Sequence, residues 1–130
     1  MGKKIVLLTV LALVVALTAA VTIYVVVDRN TVKSFSLRDA YYQRILQEFA
    51  VNCSTEPVNS ANDAKQAAEE IWIKIYGADT ILNEKPYMVY YDETEEVWLV
   101  TGSLPPLTLG GVAKILVRRD GTVLAVWHEK

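Results

Sequence analysis

The chain opens with an unbroken apolar run. Residues 5–27, IVLLTVLALVVALTAAVTIYVVV, contain no charged residue, no proline and no glycine. At about 1.5 Å per residue, a helix of this length spans about 34 Å, which exceeds the roughly 30 Å hydrocarbon core of a bilayer. A helix without a polar face is typical of a membrane span rather than of a core helix. The pattern therefore predicts an N-terminal transmembrane anchor.

A cleaved signal peptide is the alternative interpretation of this run. Lys3 and Lys4 precede the run and residues 18–20 (Thr-Ala-Ala) offer small residues for cleavage, but the apolar region of a signal is usually about 7–15 residues long. Basic residues flank the run on both sides, so their distribution does not fix its orientation. Because long domains translocate largely regardless of charge, we expect a single-pass membrane protein with its C-terminal domain outside the cytoplasm, or a secreted protein if the signal is cleaved.

Beyond the apolar run, apolar residues recur at helical spacing in a first segment. Ser36 and Asp39 form a capping-box pattern, which predicts a helix from Ser36 to about residue 51. Its predicted apolar face consists of Leu37, Ala40, Tyr41, Ile45 and Phe49. The sequence that follows, NCSTEPVNSAN, is rich in turn-forming residues and predicts a linker.

A second helical pattern follows this predicted linker. Ser60 with Asp63 is a capping signal, and Gly77 is placed to end the helix. The apolar stripe between them consists of Ala64, Ala67, Ala68, Ile71, Trp72 and Ile75. A stripe at this spacing is typical of a face that packs against a core.

From Pro86 onward the apolar period changes from 3.6 to 2, which indicates strands. PYMVYYD and VWLVTG flank the acidic turn ETEE, and GVAKILVRR and TVLAVWHE flank an Asp-Gly pair that favours a tight two-residue turn. Two hairpins give a four-stranded antiparallel sheet, and such a sheet must bury one face, for which the second helix is the natural cover. We predict an α+β roll, with a membrane anchor or signal at residues 1–28, a juxtamembrane helix and linker at residues 29–61, and the roll at residues 62–130.

The stretch TGSLPPLTLGGVAK joins the second predicted strand to the third. A phosphate-binding loop places its glycines before a helix, whereas Gly110 and Gly111 precede a strand, so we do not predict a phosphate site. Two prolines keep the loop out of the sheet ladder, and the glycines allow a bulge or a positive φ. Leu107 and Thr108 at the middle of the loop are predicted to face outward, where recognition residues tend to lie.

Charge limits the choice of partner. The residues after the apolar run carry 11 basic and 15 acidic side chains, and a net negative charge argues against nucleic acid, which requires a basic patch. Four of these carboxylates, Asp92, Glu93, Glu95 and Glu96, fall within five positions at the tip of the first hairpin. They form a candidate surface for a basic protein partner, although hairpin tips are commonly polar for solvation alone.

The chain holds few residues suited to catalysis. His128 is the only histidine and Cys53 the only cysteine, so neither a histidine pair nor a metal site with three or four ligands can form from these residues. Tyr87, Tyr90 and Tyr91 could line a pocket, but aromatic residues in strands usually pack on the sheet. We predict no catalytic residue, no metal and no cofactor.

Three stretches together resemble a known family. AAEEIWIKIYG, KPYMVYYDETEEVWLVTGSLP and GGVAKILVRRDGTVLAVWHEK are similar to small bacterial immunity proteins with a nuclear-transport-factor-2-like, or cystatin-like, fold. The resemblance covers roughly residues 62–130. The matching residues are Ile71, Trp72, Tyr76, Gly77, Pro86, Tyr87, Trp98, Val100, Gly102, Leu104, Pro105, Gly110, Gly111, Val112, Asp120, Gly121, His128 and Lys130.

The resemblance implies a protein that binds and neutralises a cognate toxin of a polymorphic toxin system. It carries no catalytic residue to this chain, because the shared residues are mainly those that shape the fold. An anchored accessory or sensory binding domain outside the cytoplasm, or a small isomerase- or dehydratase-like enzyme of the same roll, are the alternatives. The predicted toxin-binding residues are Asp92, Glu93, Glu95, Glu96, Leu107 and Thr108.

Overall fold

The computed structural model describes residues 32–130, and the predicted anchor at residues 5–27 lies outside them. In this described part of the chain, no helix is long and apolar enough to cross a membrane. The elements in chain order are β1 (Lys33–Ser34), α1 (Ala40–Glu48), β2 (Ala50–Ser54), α2 (Ala61–Tyr76), α3 (Ala78–Leu82), β3 (Met88–Asp92), β4 (Val97–Thr101), β5 (Ala113–Arg118) and β6 (Thr122–His128).

The sheet has six strands in the order β1-β3-β4-β5-β6-β2. Its four central strands are the two predicted hairpins, and both hairpins are confirmed. The second turn differs from the prediction, because three residues, 119–121, connect β5 to β6 instead of a two-residue Asp-Gly turn. The prediction of a four-stranded antiparallel sheet is wrong in two respects, because β2 adds an antiparallel edge and β1 adds a parallel one. A register shift between Leu116 and Val117 in the β5–β6 pair is the irregularity expected of a bulge that bends a strand.

The missed strand β2 occupies the end of the first predicted helix and the start of the predicted linker. All five of its residues are exposed, so it carries no buried alternation for sequence analysis to detect. Backbone bonds to the β6 region hold it in place, with Val126 N–H donating to Phe49 O at 3.4 Å and Thr55 N–H donating to Gly121 O at 2.8 Å. The other missed strand, β1, has only two residues.

The first helix begins at Ala40 rather than at Ser36. Residues 36–39 form a turn that is closed by a 3.2 Å bond from Asp39 N–H to Ser36 O, and no side chain caps the helix. Ile45 is buried as predicted, but Tyr41 and Phe49 are exposed. Tyr42 and Leu46 pack against the core instead. The buried face of the helix is therefore rotated from the predicted face by about one residue.

The second helix is confirmed with its cap. Ser60 Oγ accepts the Asp63 N–H at 3.1 Å, and the Asp63 carboxylate accepts the Asn59 N–H at 3.1 Å. The helix ends at Gly77, whose φ is +90°. Four members of the predicted stripe are buried and Ile71 packs at their edge. Ile75 is the exception, with 54% of its surface exposed.

The sheet buries residues on both faces, whereas we expected one buried face. Trp98 and Val100 of β4 point to the α2 side, where they share a core with Trp72. Val97 and Leu99 point to the opposite side, where Leu37 and Ile45 cover them. This burial explains the near-continuous apolar runs of β4 and β5. A strand that is covered on both faces has no solvent-exposed side, so its polar residues do not alternate with apolar ones.

Candidate functional site

The predicted binding residues lie at opposite ends of β4. We call one end the turn end, which consists of residues 36–39, 55–63, 93–96 and 118–121, joined by bonds such as Arg119 N–H to Glu96 O at 2.9 Å and Val58 N–H to Arg119 O at 2.8 Å. We call the other the loop end, which consists of residues 75–84, 102–112 and 128–130. The five residues of β4 separate the two by about 17 Å at roughly 3.3 Å per residue. The structure therefore does not bring Glu93 and Leu107 into one small surface.

Asp92 organises the turn end from within. Its exposed fraction is 5%, and its carboxylate accepts N–H groups from Leu37 at 2.8 Å, Thr94 at 2.9 Å and Glu95 at 3.1 Å. Burial acts to raise the pKa of Asp92, but the three backbone donors and Arg38 outweigh it and lower the pKa below its usual value. A carboxylate with these internal partners fixes the turn and is covered from a protein partner.

The other three carboxylates of the hairpin tip are accessible. Glu95 pairs with Arg38 at 2.7 Å and Glu96 pairs with Arg119 at 3.3 Å, while Glu93 is exposed and forms no ion pair within residues 32–130. Ion pairs in water contribute little stability, typically about 0–1 kcal/mol. A partner can therefore exchange them for its own cations at small cost.

Folding adds further carboxylates that lie far away in the sequence. Asp120 of the second hairpin turn and Glu56 of the segment before α2 reach the same end through the backbone bonds given above. A groove of about 390 Å³ runs from there along α2, and Glu69 and Glu70 line its continuation. The accessible carboxylates at the turn end are Asp39, Glu56, Asp63, Glu93, Glu95, Glu96 and Asp120, and the arginines are Arg38, Arg118 and Arg119. Sequence analysis found only the hairpin tip because the remaining acids belong to separate segments.

At the loop end, residues 105–108 form a turn closed by a 3.2 Å bond from Thr108 N–H to Pro105 O. Leu107 has a φ of +64°, which is unfavourable for a residue with a branched side chain. Leu107, Thr108 and Leu109 are all exposed, so the prediction that the middle of the loop faces outward is confirmed.

The two glycines of the loop act in different ways. Gly110 has a φ of +133°, a conformation that a side chain strains, as predicted. Gly111 has no positive φ, but a Cβ placed there would overlap the carbonyl oxygen of Glu129. The chain thus returns to the sheet in close contact with the end of β6.

A buried glutamate that sequence analysis missed bonds to residues on both sides of this loop, through its carboxylate on one side and its main-chain oxygen on the other. Glu84 is 4% exposed, its Oε1 accepts the Ala113 N–H at 2.7 Å, and its main-chain oxygen accepts the Ser103 N–H at 2.7 Å. Its Oε2 lies 3.3 Å from Nε2 of His128. The His128 ring packs against the ring of Tyr76, with 5.3 Å between the two ring centroids. Nothing in the local pattern NEKP marks this glutamate as buried, because its partners come from three distant segments.

The tyrosines considered for a pocket do not share one. Tyr87 and Tyr91 belong to the α2 side of the sheet and Tyr90 to the α1 side. The Tyr87 hydroxyl donates to Glu69 at 2.8 Å, and burial together with this bond raises its pKa. Within residues 32–130, no three His, Cys, Asp or Glu side chains are placed to hold a metal ion.

Comparison with known proteins decides the family. Residues 63–130 match the family model of the NTF2 fold immunity proteins. The chain belongs to this family. The resemblance seen in the sequence is thereby confirmed, and the matched segment runs from the first turn of α2 through β6. Neither the comparison with curated proteins nor that with solved structures gives a match.

The immunity-family segment holds the buried carboxylates Asp92 and Glu84 and the whole loop end. The segment before it supplies β1, α1 and β2, and these pack onto the family core as part of one compact unit that begins at Val32. At the turn end this added segment contributes Arg38 and Glu56 beside Glu93 and Glu96 of the matched segment. The turn end thus combines residues inside the family match with residues outside it.

Proposed function

We propose that this chain is a membrane-anchored immunity protein that binds a cognate bacterial toxin and neutralises it without catalysis. The observation that carries the proposal is the family match over residues 63–130. Neutralisation by binding requires a surface that is specific and well ordered rather than a reactive cavity.

We place the toxin at the turn end. Seven accessible carboxylates and three arginines lie there on four separate segments, which gives this surface a net negative charge. A negative electrostatic field speeds and orients the approach of a basic partner. Glu93, Glu95 and Glu96 are the proposed contacts from the hairpin tip. Asp92 contributes by fixing the turn that carries them.

The proposed anchor is the apolar run at residues 5–27, and we place the folded domain outside the cytoplasm. A toxin met there acts on the envelope or arrives from a neighbouring cell, so a pore-former or a peptidoglycan hydrolase fits this location better than a nuclease acting inside the cell. The second candidate function is that of an anchored accessory or sensory domain, which the same location would suit.

A growth experiment separates the two functions. The protein encoded immediately upstream of this chain is expressed alone and together with the full chain, with export of both allowed. An immunity function predicts arrested growth in the first case and restored growth in the second. Arrested growth that the full chain does not relieve would count against the immunity function, and an upstream protein that is harmless would favour the accessory function.

A further inference from the structure

The most exposed large apolar side chains of the described residues gather at the loop end. Leu107 and Leu109 are fully exposed, Ile75 is 54% exposed and Leu82 is 46% exposed. Isolated exposed apolar residues are common on soluble proteins, but a group of them on one surface marks a contact with a protein or a membrane.

Contacts of neighbouring residues place the segments that carry these side chains at the same end of the sheet. Tyr76, the last residue of α2, packs against His128 at the end of β6, so Ile75 lies at this end of the sheet. Leu82 ends α3, which directly follows. Ser103 N–H donates to Glu84 O at 2.7 Å, which joins the start of the loop to the residues after α3.

The chain also enters the sheet from this end. β1 pairs in parallel with β3, with Lys33 beside Tyr90 and Ser34 beside Tyr91. β3 begins at Met88, opposite Thr101, which is where the loop leaves β4. β1 therefore begins on the side of the sheet nearer the loop end and runs toward the turn end.

The length of chain before Val32 limits how far this end can lie from the membrane. The apolar run ends at Val27, and five peptide units at 3.8 Å each span at most about 19 Å whatever their conformation. A bilayer that holds residues 5–27 is therefore within reach of the end of the sheet at which Val32 enters.

We propose that the loop end faces the bilayer and that Leu107 and Leu109 insert into the interface of the leaflet that bounds the folded domain. This inference rests on the anchor proposed above. Leu107 and Leu109 are fully exposed, so no apolar partner within residues 32–130 covers either side chain. Insertion would bury both side chains in lipid, in the manner of an interfacial anchor, and would orient the turn end toward the toxin.

The test uses the full chain with Cys53→Ser, so that a single introduced cysteine carries an environment-sensitive fluorophore. Cys53 is exposed and free, so its replacement removes no packing. The label is placed through Leu107→Cys or Leu109→Cys, with Glu93→Cys at the turn end as the matched control. Each protein is reconstituted into vesicles of phosphatidylethanolamine and phosphatidylglycerol and first tested by flotation.

We expect a blue shift at positions 107 and 109 and quenching there by lipids that carry a spin label, with neither effect at position 93. If the chain floats but position 107 gives the same emission as position 93, the loop does not insert and only this inference fails. If a blue shift at position 107 requires the toxin, the loop contacts the partner instead of the membrane, and the inference is again overturned. If the chain does not float, the anchor itself is wrong, and both the inference and the anchoring part of the proposed function fall.

Discussion

The turn end and the loop end differ in surface chemistry, but each is held by one buried carboxylate. Asp92 and Glu84 are the two buried charged residues of residues 32–130, and each accepts backbone N–H groups from another segment. The surface around Asp92 carries the ion pairs Arg38–Glu95 and Arg119–Glu96, whereas the loop that Glu84 holds exposes the apolar side chains Leu107 and Leu109. A buried carboxylate in this fold therefore fixes the position of a surface and does not determine the chemistry of that surface.

Loss of core packing should unfold the domain and so disrupt the turn end and the loop end together. Trp72 is fully buried, and Trp98 is nearly so and donates its Nε1–H to Val58 O at 2.9 Å. We expect Trp72→Ala or Trp98→Ala to cost about 3–5 kcal/mol, which is enough to unfold a small domain of ordinary stability. Thermal melts of the full chain in detergent, followed by circular dichroism, measure the loss. Leu107→Ala is the matched control and should leave the melting temperature unchanged. An unchanged melting temperature for Trp98→Ala would mean that this residue is not part of the core.

Removal of each buried carboxylate should loosen one end and spare the other. Asp92→Ala and Glu84→Ala each leave buried backbone donors unsatisfied, at a cost of about 1–3 kcal/mol. Amide hydrogen exchange should accelerate at Leu37, Thr94 and Glu95 in the first variant and at Ala113 in the second. Asp92→Asn and Glu84→Gln keep an acceptor and should lose less. Acceleration at both ends in either variant would show that the two ends are not independent.

Acid should weaken the turn end through Asp92. Its pKa in the folded protein lies below the ordinary value of 3.8, so its stabilising contribution is present above that value and is lost as the pH falls toward the lower folded pKa. Unfolding midpoints measured across this range should fall less steeply for Asp92→Asn than for the parent. Parallel curves for the two proteins would refute a stabilising charge at this position.

Changes to the outer surfaces should have the smallest effects on stability. Glu93→Lys with Glu96→Lys at the turn end and Leu107→Asp with Thr108→Arg at the loop end alter exposed residues, where substitutions usually change stability by less than about 0.5 kcal/mol. Circular dichroism of both double variants should match the parent. Unfolding of the loop variant would mean that Leu107 packs inside the protein.

How far the sequence predicts the fold depends on where each element obtains its stability. The two hairpins, the cap at Ser60 and the stop at Gly77 depend on local residues, and they were predicted. β2 and β1 depend on pairing with distant strands and have no buried alternation, so they were not. The start of α1 was misplaced because the Leu37 N–H, expected inside the helix, instead bonds to Asp92, 55 positions further along the chain.

The candidate site divides in the same way. The accessible charges of the hairpin tip and the exposed middle of the loop follow from local sequence. The burial of Asp92 and Glu84, and the gathering of Glu56 and Asp120 beside the tip, require the topology. Single-sequence patterns do not contain these long-range contacts, so the two supporting carboxylates and the full extent of the acidic surface became visible only in the structure.

The most direct test is the affinity of the purified full chain, in detergent, for the proposed toxin, the protein encoded immediately upstream. We predict tight binding by the parent, a large loss for Glu93→Lys with Glu96→Lys, and parental affinity for Leu107→Asp with Thr108→Arg. The charge-preserving pair Glu93→Asp with Glu96→Asp should retain most of the binding. Parental affinity in the turn-end charge reversal, with binding lost in the loop variant, would contradict the account and place the toxin at the loop end.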